Sequence, residues 1–410
     1  MFSRSVSFVV AGAAGAATLT AASAPSPLYP VYQRLWGFSA FVLTVVFAVY
    51  VFALLGALLT VGSLSDRVGR RPVASGALVL LALGMVLFAI AGGTGGLVVA
   101  RIVQGLAVGA ATGTTTAMIM DSAPNSRFGS VVSSAVPSLG IVIGAVLAGA
   151  LVEFAPLPRQ LVFWILGGVY LVLAALVWLI PEGARPKPAA RESLWRSLRP
   201  SAGLPPAVRP VFFALVPSMA ATWALAGLYL SLGSSVLGHV LEVHSHFVVG
   251  IVLGVFFAAG AVGTVVSSVS TRWREWLGYG TLALGVLITI AAMLLTTLPI
   301  YVAGSAVAGL GFGATFHFAV QALGDAAPDG RRGEVFATMY IVSYIAFSVP
   351  ALAAGLAAER FGLEPTAVAY GALEVALILI ATAAGIIRAH RQFSENEPLT
   401  DQGIQSTKLH

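Results

Sequence analysis

Residues 97–129 read LVVARIVQGLAVGAATGTTTAMIMDSAPNSRFG, and residues 301–333 read YVAGSAVAGLGFGATFHFAVQALGDAAPDGRRG. At a shift of 204 residues the two stretches agree at eleven positions. The clearest pairs are Gly105/Gly309, Gly109/Gly313, Asp121/Asp325, Pro124/Pro328, Arg127/Arg331 and Gly129/Gly333. Each stretch is an apolar run of small residues that ends in an acid, a proline and an arginine. A repeat at half the chain length means that one unit has been used twice.

The same shift aligns the rest of the chain. Apolar segments lie at 6–24, 39–62, 72–91, 97–120, 130–152, 160–180, 210–232, 245–268, 277–298, 300–323, 334–357 and 366–388, and the first falls on the seventh, the second on the eighth, and so on. Crossing a bilayer takes about 20 apolar residues per helix. Of the 410 residues 58% are hydrophobic and only 9% charged, with mean hydropathy +0.94. A soluble domain carries about 25% charged residues, so this chain has too little polar surface to enclose a soluble core. The expected fold is an all-α membrane protein of twelve transmembrane helices in two pseudo-symmetric six-helix bundles. The bundles are residues 1–180 and 210–390. A Pro- and Arg-rich linker at 181–209 and a tail at 391–410 lie outside them. Parallel halves of this kind place a substrate site between them, near the membrane midplane.

Several function classes fall away. There is no cysteine, hence no disulfide or thiolate chemistry. The two lysines, Lys187 and Lys408, sit in no phosphate-binding loop, and neither His-Glu-x-x-His nor Gly-x-Ser-x-Gly occurs. No enzyme, no cofactor and no metal site is expected. A net charge of +6 would suggest nucleic acid in a soluble chain, but here the positions explain it. Eighteen of the 22 Lys and Arg fall on the side of the N-terminus, while Arg34, Arg159 and Arg360 fall on the other and Arg101 lies inside a span. By the positive-inside rule both termini are expected in the cytoplasm. Arg4, the small apolar residues after it and Ala22-Ser23-Ala24 imitate a signal peptide, but removing the first span would leave the seventh without a counterpart.

The loop after the second span reads Gly62-Ser63-Leu64-Ser65-Asp66-Arg67-Val68-Gly69-Arg70-Arg71. It resembles the loop signature of the major facilitator superfamily, Gly-x-Leu-x-Asp-Arg-x-Gly-Arg-Arg/Lys. Leu97-x-x-x-Arg101-x-x-Gln104-Gly105 resembles that family's fourth-helix motif, and Asp121-x-x-Pro124-x-x-Arg127-x-Gly129 its loop between helices four and five. The resemblance implies that the Asp66 loop latches the halves on the cytoplasmic side, with Asp121 as partner for Arg70 or Arg71. It also implies a twelve-helix exporter-like carrier. In the second half Ser270 replaces Asp66, so the latch is expected to be asymmetric.

Within the spans, a charge is expensive and so informative. Arg101 is read in two ways. The resemblance implies proton coupling or anion contact, whereas the alternative is an arginine bonded to backbone carbonyls of the first helix. His317 on the tenth span and Glu374 on the twelfth are the other candidates for coupling or substrate. The first span holds no acid, which leaves the proton carrier open. The fifth span, Gly140-x-x-x-Gly144-Ala145-x-x-Ala148-Gly149, resembles the antiporter signature with Ala145 in place of Pro and Ala148 in place of Gly. Its alternative is a packing face of small residues. The cavity is expected to be lined by Thr112, Thr116, Trp223, Tyr229, Phe312, Phe316, Tyr340 and Tyr344, a surface of rings and hydroxyls suited to an amphipathic organic molecule. The segment His239-x-x-Glu242-x-His244-x-His246 is read as a solvated loop, with metal binding or pH sensing as the alternative. The leading expectation is proton-coupled efflux of small amphipathic drugs or metabolites by a monomer in a bacterial inner membrane. Uptake or facilitated passage of an organic anion or nutrient is the second, and a non-transporting receptor the third.

Overall fold

A computed structural model describes residues 2–61, 68–181, 202–269, 274–328 and 331–395. Gly62, Asp66 and Arg67 of the motif loop, Ser270 and most of the linker lie outside the described residues. The long helices are α1 (Arg4–Ser23), α2 (Ala40–Val61), α3 (Arg70–Ala89), α4 (Thr94–Ser122), α5 (Ser126–Phe154), α6 (Leu161–Val177), α7 (Arg209–Ser231), α8 (His246–Val269), α9 (Arg274–Leu294), α10 (Leu298–Ala326), α11 (Arg332–Phe361) and α12 (Leu363–Glu395). Among the described residues eleven of these are long and apolar enough to cross a membrane, and α6 is an apolar helix of 17 residues. No strand occurs among them.

Two short helices were not legible as separate elements: Tyr29–Trp36 after α1 and Gly233–His239 after α7. They occupy equivalent positions in the repeat. The first follows the break at Pro25 and a single turn at Ser26–Leu28. Asn125 caps α5 by accepting a hydrogen bond from the Phe128 N–H at 2.8 Å, which ends the Asp121–Pro124 turn and restarts the helix.

The glycines shared by the repeat explain the packing inside each half. A Cβ on Gly105 would strike the Tyr50 carbonyl oxygen, and one on Gly109 that of Leu54. In the second half Gly309 and Gly313 lie against the carbonyl oxygens of Phe256 and Gly260. So α4 lies backbone to backbone on α2, and α10 does the same on α8. Lipid offers no hydrophobic drive between helices, and such close approach supplies the packing energy instead. Gly140 and Gly144 seat α1 on α5 in the same way, against Ala16, Thr20 and Ser23. The Thr20 and Ser23 hydroxyls then donate to the carbonyls of Gly140 and Ile141 at 3.0 and 2.8 Å.

The halves meet along two pairs of helices related by the repeat, α2 with α11 and α5 with α8. Phe2 N–H donates to the Leu179 carbonyl at 2.8 Å, which fixes the N-terminus beside the end of α6. We call this the terminal face and the opposite one the far face. The contacts that join the halves lie toward the far face. Gly149 packs on the His246 backbone, Gly250 on the Ala145 carbonyl and Gly355 on the Thr44 side chain. The Ser26 hydroxyl donates to the Leu230 carbonyl at 3.0 Å, the Phe41 N–H to the Glu359 carboxylate at 3.3 Å and the His246 N–H to Glu153 at 2.9 Å. Among the described residues, these contacts join the halves at the far face.

Candidate functional site

The Arg101 guanidinium is completely buried. Its Nη1 donates to Gln104 Oε1 at 2.6 Å and to the Ala22 carbonyl at 3.3 Å, and its Nη2 donates to the Tyr29 hydroxyl. Gln104 Nε2 donates to the Ala21 carbonyl at 2.5 Å. The local chain explains these bonds. The Ala21 carbonyl would normally accept from residue 25, but Pro25 has no N–H to give. α1 ends there with its last carbonyls unsatisfied, and Arg101 and Gln104, one turn apart on α4, take them. Cations are favoured at such a C-terminus. The rings of Tyr50, Tyr29 and Phe88 lie 5.1, 5.5 and 5.7 Å from the guanidinium carbon, so each adds a cation–π contact. The geometry is that of the alternative reading, an arginine bonded to backbone carbonyls of the first helix.

A second constellation lies between the halves. Trp223 on α7 has the rings of Tyr344, Phe316 and Phe347 around it at 5.0, 5.4 and 5.6 Å. Phe47 on α2 closes on Phe347 at 5.0 Å from the other half, and Tyr340 stacks on Tyr344 at 6.1 Å. The indole Nε1 is buried and has no hydrogen-bond partner. An indole N–H in apolar surroundings normally finds an acceptor. Rings from α7, α10, α11 and α2 thus enclose one unspent donor.

The other expected cavity residues divide. Thr112 is half-buried and its hydroxyl returns to the Val108 carbonyl at 2.7 Å, whereas Thr116 is exposed. Phe312 packs on Phe256 and Phe257 at 5.3 and 6.2 Å. Tyr229 turns into its own bundle. It stacks on Phe256 at 4.2 Å, and its hydroxyl pairs with that of Ser305 at 2.7 Å. A cavity of about 20 Å³ beside it has room for about one water. His317 is half-buried on α10. Glu374 is only 1% exposed, and neither carboxylate oxygen has a hydrogen-bond partner.

On the terminal face, Arg70 forms an ion pair with Asp121 and donates to the Ala117 carbonyl at 3.0 Å. Gly69 adopts φ +109°, a conformation that favours glycine, where the loop turns into α3. Arg71 stands beside Arg70 on the first turn of α3, and Arg127 lies on the first turn of α5. On the far face, the histidine segment does not converge. His239 Nδ1 lies 3.0 Å from the Ser235 carbonyl, while His246 Nε2 lies 3.4 Å from Arg34. Among the described residues no group of three or more His, Cys, Asp or Glu could hold a metal.

Sequence reasoning missed Tyr29, Tyr50, Phe47, Phe347 and the Arg34–His246–Glu153 chain. The signal that Pro25 gives, a carbonyl that something must satisfy, points to Gln104 and Arg101 and to none of these.

Residues 11–349 match the family model described as Major Facilitator Superfamily. A stretch of 142 residues is 37% identical to the 3-(3-hydroxy-phenyl)propionate transporter of Escherichia coli strain K12, covering 34% of each chain. The match thus spans about a third of that relative's length. Two crystal structures of a bacterial homologue of the human lysosomal transporter Spinster superpose with a TM-score of 0.75. Both are inward-facing, one unoccupied and one occupied. Identities are 17% and 15%; 93% of this chain and 96% and 97% of those chains are covered. At such identities the likeness is one of fold.

Proposed function

The chain belongs to the major facilitator superfamily, and we propose that within this family of membrane transporters it carries small amphipathic aromatic molecules by alternating access. The observation that carries this reading is the ring of Trp223, Phe316, Tyr344 and Phe347 around an unpartnered indole N–H. Such a ring accepts a flat apolar body by stacking and supplies one directional hydrogen bond. Both terminal nitrogens of Arg101 are committed to α1, Tyr29 and Gln104, its Nε is buried without a partner, and the whole residue is enclosed, so we place no counter-charge from it on the surface offered to a substrate.

The direction we propose is efflux coupled to protons. An uncharged amphipathic molecule crosses the bilayer unaided, so only its removal requires a carrier. The arginine bias puts the terminal face in the cytoplasm, and a carrier shut at its far face would then load from inside. Glu374 is the proposed proton carrier, with His317 as second candidate. The Glu374 carboxylate is buried on α12 with no hydrogen-bond partner, and an ionisable group inside a span is rarely incidental. The Asp66 loop, with Arg70 held by Asp121 within the N-terminal half, would latch onto the other half and close the inside during the other half of the cycle.

Inside-out membrane vesicles with an acid interior test this directly. A panel of lipophilic cations, antibiotics and aromatic acids is added while the pH gradient is followed. The expected result is dissipation of the gradient by at least one aromatic member, lost in Trp223→Ala and in Glu374→Gln. A response that persists in Trp223→Ala would remove the aromatic site from the account. A second reading, uptake of an aromatic acid, is favoured by the Escherichia coli relative. Accumulation of the hit in intact cells would select it.

A further inference from the structure

Arg159 is one of three arginines that the charge bias leaves on the far side. Among the described residues it forms no hydrogen bond or ion pair. It stands in the turn between α5 and α6, which is held by the Gln160 and Leu161 N–H groups donating to the Leu157 carbonyl at 2.9 and 3.0 Å. Leu157 adopts φ +56°, so the turn is a defined one. Arg159 and Gln160 form one wall of a pocket of about 380 Å³, the size of a small-molecule site. The opposite walls are Tyr32 and Trp36 from the short helix after α1, and Phe88 and Gly92 at the end of α3.

Two features set this pocket apart from an ordinary interfacial belt of aromatic and basic residues. Belt side chains point their polar tips toward water. Tyr32 does the reverse: it is 2% exposed, and its hydroxyl is buried without a partner. Its ring stacks on Trp36 at 4.8 Å and 2°, and Phe88 stacks on Phe163 at 4.9 Å and 12°, so the apolar walls are fixed flat surfaces. The side chains with donors along its open wall are a guanidinium and an amide, and among the described residues no acid lines the pocket.

We propose that this pocket is a binding site for a small aromatic carboxylate, distinct from the Trp223 site and open at the far face. The carboxylate bonds to Arg159 and to the Gln160 side-chain amide, and the ring lies against the Tyr32–Trp36 stack. A ligand bound here meets the protein on the side opposite the cytoplasm, before any passage between the halves. The site does not depend on the direction of transport.

Photolabelling with 3-azidobenzoate, with the full chain in nanodiscs of phosphatidylcholine and adducts mapped by peptide mass spectrometry, tests the proposal. Adducts are expected in 29–36 or 88–92 and should be displaced by excess benzoate. The apparent affinity should fall about tenfold in Arg159→Ala and should be unchanged in Trp223→Ala. Trp223→Ala also separates this site from the central one, since loss of labelling there would assign the adducts to the transport path and overturn the proposal. Equal labelling of Arg159→Ala and wild type, or adducts confined to other segments, would overturn it as well. The arm in phosphatidylglycerol nanodiscs decides between occupants. Labelling abolished by that lipid and not regained with excess azidobenzoate would make the pocket a lipid headgroup site and reject an aromatic acid.

Discussion

The two halves solve the end of their first helix differently. In the N-terminal half α1 stops at Pro25, and the carbonyls of Ala21 and Ala22 are taken by Gln104 and Arg101. In the C-terminal half the positions equivalent by repeat are Tyr229, Ser305 and Ala308. α7 continues through Tyr229 to Ser231, and a neutral bond between Tyr229 and Ser305 stands where the charge would be. Proline strands the Ala21 carbonyl, which Gln104 takes, and the fully buried Arg101 takes the next carbonyl of the same helix end, Ala22. Where the helix runs on, two hydroxyls are enough. A charge inside a span is thus explained here by a broken backbone.

The largest expected effect comes from breaking the charged side. Arg101→Ala leaves Tyr29, Gln104 and the Ala22 carbonyl buried without their partner, and should cost about 1–3 kcal/mol of stability for each group so stranded. Detergent-solubilised protein should show it as a much lower Tm. Arg101→Lys should recover little, because one ammonium cannot reproduce a planar fork of donors. The repeated glycines come next, and there the halves should behave alike. Gly105→Ala and Gly309→Ala each force a methyl against a carbonyl of the facing helix and should cost about 1–3 kcal/mol each. Unequal losses would show that the symmetry of packing is only apparent. A double-mutant cycle sharpens the role of the proline. Pro25→Ala restores an N–H for the Ala21 carbonyl, so Gln104→Leu should cost about 1 kcal/mol less in that background than in the native one. The smallest effect belongs to the neutral side: Ser305→Ala should cost about 0.6 kcal/mol, the average for a hydrogen bond between membrane helices.

Much of the fold was legible because the repeat is written in residues that packing cannot replace. Gly105, Gly109, Gly309 and Gly313 recur at the fixed shift since each meets backbone on the adjacent helix. Apolar length alone set the spans. The short helices Tyr29–Trp36 and Gly233–His239 were hidden because their composition merges into the spans before them. In the candidate site, the sequence singled out Arg101, Trp223, Phe316 and Tyr344. It did not show that Arg101 is tied to Tyr29 and Ala22, since those contacts join residues more than seventy positions apart. Tyr229 was expected to line the cavity because α7 does, yet a helix has several faces and Ser305 claims that one. Phe47 and Phe347 meet across the halves, and no pattern within either half could announce the pair.

We propose a division of labour in which the N-terminal half supplies a fixed clamp at Arg101 and the C-terminal half the surface that would hold substrate at Trp223. Equilibrium binding of the aromatic compound selected by the vesicle assay, measured on folded Arg101→Gln and Trp223→Ala protein, tests it most directly. Kd should rise at least about tenfold in Trp223→Ala and stay unchanged in Arg101→Gln, which should lose thermal stability only. A Kd that rises in Arg101→Gln and holds in Trp223→Ala would contradict it, and would return Arg101 to the substrate.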